Sequence, residues 1–111
     1  MATIKDSHFN IRFYVDGDTI KDSHFNIVAR ISGDMIQDSH FMILYRVDGN
    51  TIKDSHFNIV YRIDDSVVKD EHFNIAYYLR GDRILDGHFN IECYVDGYLS
   101  SIQLAAVVAL L

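Results

Sequence analysis

The chain repeats one phrase of sixteen residues six times. Units begin at Thr3, Thr19, Met35, Thr51, Val67 and Arg83 and run to residue 98. Four columns never change: the aspartates Asp6, Asp22, Asp38, Asp54, Asp70 and Asp86, the histidines His8, His24, His40, His56, His72 and His88, a phenylalanine directly after each histidine, and an isoleucine two residues later. A unit this short cannot bury an apolar face alone, so the units must pack against one another.

Inside a unit, "HFNIRFYV" alternates, with Phe9, Ile11, Phe13 and Val15 on one side and His8, Asn10, Arg12 and Tyr14 on the other. That is the period of a half-buried strand. The strand ends at residue types that reach positive φ cheaply in a hairpin: Asp16-Gly17, Gly33, Asp48-Gly49 and Asp96-Gly97. A second punctuation, the Asp-Ser of "KDSH", separates a short strand "TIK" from the long one. Taken as a two-residue hairpin, it sets Lys5 opposite His8 and Ile4 opposite Phe9, with no bulge, and directly opposed residues share a face. This parity predicts twelve antiparallel strands with Ile4, Phe9, Ile11, Phe13, Val15 and their equivalents on one apolar face.

Such a sheet cannot stay flat and open, because it would expose that face and two unpaired edges. Closure removes the edges, and a barrel wider than about eight strands encloses space that something must occupy. The tail "SSIQLAAVVALL" supplies the occupant. Ser100 or Ser101 can cap a helix that is apolar around its whole circumference, and a helix of that kind is buried on all sides. The expected fold is therefore mainly β: one domain, 1–111, in which residues 3–98 form a closed up-and-down barrel of about twelve short strands around a hydrophobic helix within 99–111. The alternative is a β-solenoid of 16-residue coils capped by the helix. Closure is favoured at the seam, where one column holds Val28, Leu44, Val60 and Ala76 in the inner units but Arg12 in the first and Glu92 in the last. Those two meet only in a ring.

The 111 residues suffice for one core. A formal charge of −6 argues against nucleic acid as partner. The single cysteine, Cys93, excludes an internal disulfide framework, and "MATIKDSH" enters the first unit at once; together they lead to an expectation of a cytoplasmic protein. The apolar tail is well short of the ~20 residues a helix needs to cross a bilayer, so membrane association is not expected.

The strand starts from Asp54 to Ile59, the turn "VDG" at 95–97 and the closing "LSSIQLAAVVALL" together resemble the tubby C-terminal and LURP-one-related proteins, in which a twelve-stranded barrel is threaded by a C-terminal hydrophobic helix. The wording of the repeat is also similar to that of short bacterial repeat proteins of uncharacterised role. The tubby likeness implies lipid or membrane-surface binding as an alternative function. No cluster of Lys and Arg matches a phosphate site, so phosphoinositide binding and lipid scrambling are not carried over. Near-identity of the early units is the mark of recent duplication or of design.

Six histidines, each two residues after an aspartate, are metal ligands by type. In a ring, however, they stand two strands apart, roughly 9 to 10 Å, too far to share an ion. The reading is structural, with Asp holding the turn and His covering the adjacent strand, and no metal or cofactor is expected. Cys93 falls in the inward column of Phe13, Ala29, Tyr45, Tyr61 and Tyr77, so it reads as a small buried residue. An active site is singular, whereas every His and all but a few Asp recur as repeat positions; no enzyme is expected. An outer apolar band of Val28, Met42, Leu44, Val60 and Ala76, flanked by Arg30, Arg46 and Arg62, is the expected interaction surface, for a second copy or another protein. The chain thus reads as a non-catalytic structural or protein-binding repeat module.

Overall fold

The computed structural model describes residues 1–111, as twelve strands and one helix. Short and long strands alternate: β1 (Ala2–Asp6), β2 (Ile11–Asp16), β3 (Thr19–Asp22), β4 (Ile27–Ser32), β5 (Met35–Gln37), β6 (Ile43–Asp48), β7 (Thr51–Asp54), β8 (Ile59–Asp64), β9 (Val67–Asp70), β10 (Ile75–Arg80), β11 (Arg83–Asp86) and β12 (Ile91–Asp96), followed by α1 (Ser101–Leu110). Each strand pairs antiparallel with the next, and β1 pairs with β12, so the sheet closes into a barrel without an edge. The solenoid alternative is excluded. Arg12 and Glu92 meet across the seam at 3.3 Å, as the sequence led one to expect.

The barrel is shallow, 35 × 31 × 17 Å overall. Its short dimension matches a ten-residue helix, about 15 Å at 1.5 Å per residue. Ser100 caps α1: its side chain accepts from the backbone N–H of Gln103, whose side-chain oxygen accepts in turn from the backbone N–H of Ser100. Gln103 also donates to the Gly17 carbonyl at 2.9 Å, pinning the first turn of the helix to a hairpin of the first unit. No helix is long and apolar enough to cross a membrane.

The core comes chiefly from one column of the short strands. Ile4, Ile20, Ile36, Ile52, Val68 and Ile84 are all buried. They close on a helix with buried residues on opposite sides. Ala106 and Val107 pack with the group that includes Ile4, Ile20, Ile36 and Ile84, while Ala105, Val108 and Ala109 pack with Ile52 and Val68. Burying an Ile or Val side chain is worth about 1.5 to 3 kcal/mol, so this column and the plug dominate the stability.

The "KDSH" punctuation differs from the expected two-residue hairpin. The first long strand begins only at Ile11; Ile4 faces Phe13 and Lys5 faces Ile11, with a bulge between them, and the same irregularity recurs in all six units. The turn is built on the backbone N–H of Phe9, which donates to the Asp6 carbonyl, and Phe9 itself has φ +67°. A residue in that left-handed region leaves a three-residue loop with its bulge, a place usually filled by glycine. Consequently Phe9 and its equivalents lie outside the barrel, not in it, and His8 does not oppose Lys5. The invariant isoleucines lie at the bulges, mostly half-buried, and Ile75 is 40% exposed.

Candidate functional site

Each "Asp-Ser-His-Phe-Asn" loop is closed by its own hydrogen bonds. In the fourth unit Asp54 Oδ1 accepts from the backbone N–H of His56 at 2.8 Å and of Asn58 at 3.0 Å, while Asp54 donates its own N–H to the Asn58 carbonyl at 2.8 Å. These bonds favour the charged carboxylate. Asp6, Asp22, Asp54 and Asp86 are held below the usual aspartate range, first by the N–H of the asparagine four residues on and then, against some desolvation, by that of the histidine. The aspartates thus hold the loops, as read from the sequence.

The loop holds a phenylalanine in a conformation that L-residues avoid. All six stand at φ between +65° and +68°, a region costing a non-glycine residue roughly 1 to 2 kcal/mol. The conformation lays each ring on the outside of the neighbouring unit, where it covers one recurring position. Phe25 stacks on Tyr14 at 4.6 Å, Phe89 on Tyr78 at 4.4 Å and Phe9 on Tyr94 at 4.5 Å between ring centroids. Phe41, Phe57 and Phe73 instead carry the guanidinium groups of Arg30, Arg46 and Arg62, at 4.6, 4.6 and 4.2 Å. Phe9 on Tyr94 joins the first unit to the last, so the outer ring has no break. Stacks of these kinds return about 0.5 to 1.5 kcal/mol each, which roughly offsets the backbone strain. The rings nevertheless remain 57 to 63% exposed.

The histidines also sit at the loop tips, all exposed, with their ring nitrogens near the adjacent serine in the first three units. No three His, Cys, Asp or Glu side chains converge as a metal site would require. Of the expected band, Met42 is 65% exposed, whereas Val28, Leu44, Val60 and Ala76 are half-buried and Val28 packs on the core. The phenylalanine ring, with Met42 beside Phe41, adds further exposed apolar surface to the exterior. Propensity could not have placed those rings outside, since alternation alone puts them on the inner face.

Inside, Cys93 is buried and its thiol is pushed up to about 11 by desolvation. Tyr77 is raised to about 12, mainly by burial and then by the neighbouring Tyr61 and Glu92. The rings of Tyr61 and Tyr77 lie 6.2 Å apart, tilted at 53° to one another. Neither group is poised to ionise near neutral pH. The helix does not fill the barrel mouth evenly. A cleft of about 420 Å³ lies beside its first turn, between Val47, Asn50, Ile63, Asp65 and Leu104, and a smaller one of about 240 Å³ lies against Leu79, Arg83, Val95 and Leu99.

Residues 1–97, all six hairpins, match the family described as 5-fold beta-flower protein. The chain belongs to that family. Its own ring closes with six hairpins, and the match ends before the helix. No curated protein and no solved structure matches the chain. The beta-flower fold is a repeat fold and not a known enzyme family. The family match does not extend to tubby or LURP-one-related proteins, and a relationship to them is not shown.

Proposed function

We propose that the protein is a non-catalytic binding module whose working surface is the outer wall, used to engage other proteins, further copies of itself included. The observation that supports this most directly is the phenylalanine ring. Six large apolar side chains are held outside by strained backbone at positions where Asn or Gly would close the same loop at less cost. Exposed apolar surface of this regularity is more often an interaction site than an accident.

Replacing Phe25, Phe41 and Phe57 together by Asn tests the reading, because Asn tolerates positive φ. Sedimentation velocity over a wide concentration range is expected to show self-association of the native chain and a monomeric variant of nearly unchanged melting temperature. A strongly destabilised variant whose association is unchanged would make the rings mere wall covering. Flotation with phospholipid vesicles addresses the lipid-surface alternative, and recovery of the protein with the vesicles would favour that reading instead.

A further inference from the structure

The outer ring is chemically divided. Where three consecutive units offer Arg30, Arg46 and Arg62 on β4, β6 and β8, the other three offer Tyr78, Tyr94 and Tyr14 at the same register position. Neighbouring lysines on the arginine side are balanced locally, Lys53 by Asp48 at 3.3 Å and Lys69 by Asp64 at 3.8 Å. None of the three arginines has a carboxylate partner. Each guanidinium is pinned flat on a phenylalanine, and one N–H-bearing nitrogen of each, Nε of Arg30 and Arg46 and Nη1 of Arg62, is shut away from solvent without an acceptor. Such a cation is poorly hydrated and already ordered, so an incoming anion displaces little water and orders little side chain.

We propose that this arc binds an acidic, proline-rich segment of another protein in the polyproline II conformation. Alternate strands bring successive arginines roughly 9 to 10 Å apart. In polyproline II every third residue returns to the same face after about 9.3 Å, so one carboxylate per turn meets one guanidinium per unit. The phenylalanines alternate with the arginines along the arc, more than half exposed, and aromatic platforms of this kind receive the prolines between the acids. This chain has no proline, so the segment comes from a different protein. A long polyanion is disfavoured by the net charge of −6. The inference rests on the outer wall being the working surface and names the partner of one half of it.

The fold itself supplies the control, because three of its units already use Tyr where the others use Arg. The triple variant Arg30→Tyr, Arg46→Tyr, Arg62→Tyr should therefore keep the stacks and the barrel. Fluorescence anisotropy of a labelled peptide of repeated Glu-Pro-Pro units, titrated with the full chain at low and at physiological ionic strength, is expected to show salt-sensitive binding that weakens more than about tenfold in the triple variant. A peptide of Lys-Pro-Pro units should not bind. Equal binding to native and variant protein, no binding at either salt, or tighter binding of single-stranded DNA or phosphatidylserine vesicles than of the acidic peptide would overturn the proposal. Self-association of the native chain, read by sedimentation, separates the two claims: if it occurs while the native chain binds no acidic peptide, the outer-wall reading stands without the arc.

Discussion

The inner and outer walls of this barrel obey different rules. Inside, the column of the long strands reads Phe13, Ala29, Tyr45, Tyr61, Tyr77 and Cys93, four residue types in six units, while the loops outside keep Asp, His and Phe in all six. A helix has no six-fold symmetry, and the long-strand column varies to fit one while the short-strand column stays Ile or Val throughout. The outer loop needs no such adjustment, because its hydrogen bonds are made within five residues and its aromatic ring meets the same register position next door, Tyr in three units and Arg in three. The lesson is that the repeat is specified locally at the surface and broken only in part where it meets the plug, in the long strands and not in the short ones.

Removing residues 99–111 is the most severe way to test that division. The shortened chain loses Ala105 to Ala109 and leaves the inner column facing water, so cooperative unfolding is expected to vanish, as read by circular dichroism and calorimetry. Ile52→Ala should cost about 2 to 5 kcal/mol in denaturant unfolding, because a fully buried side chain leaves a cavity against Val108 and Ala109. A loss well below that range would mean that the helix shifts to fill the space.

Acid tests the outer loops. The folded-state pKa values of Asp6, Asp22, Asp54 and Asp86 lie below the unfolded value of 3.8. Their contribution is therefore complete above that value and is lost as pH falls through the lower folded values. Melting temperature should hold steady from neutrality towards pH 4 and fall below it, and Asp54→Asn should flatten part of the fall.

The smallest effect concerns the hairpin between β8 and β9, where Asp65 stands at φ +59° in a place that Gly17, Gly33, Gly49 and Gly81 fill elsewhere. Asp65→Gly is expected to stabilise by about 0.5 to 1 kcal/mol. A destabilised variant would show that the Asp65 side chain, at the lip of the larger cleft, makes interactions worth more than its strain.

Much of the architecture was legible because the period and the two-residue alternation are strong signals. Twelve strands, closure, the Arg12–Glu92 join and the capped, largely apolar plug all follow from them. The loop was not legible, because a phenylalanine in the left-handed region contradicts its ordinary preference. Its two misreadings cancel in parity though not in register: the loop is longer than a two-residue hairpin and the bulge adds one residue more, so that Ile4 faces Phe13, four residues beyond Phe9, and Phe13 and Val15 still face inward with it. What stayed hidden was the outer wall, where rings expected in the core cover the neighbouring unit. The division into an arginine half and a tyrosine half was present in the sequence, but it gains meaning only once those rings are placed over it.

Phe9 on Tyr94 carries a consequence for how many hairpins such a ring can contain. The joint between first and last is of the same kind as those at Tyr14 and Tyr78, so gaining or dropping a hairpin would leave the exterior intact and alter only the bore. Helix girth then acts as the gauge that selects the count. Three alanines in the plug suit six staves here, and a five-membered relative would call for a slimmer rod or smaller inward side chains.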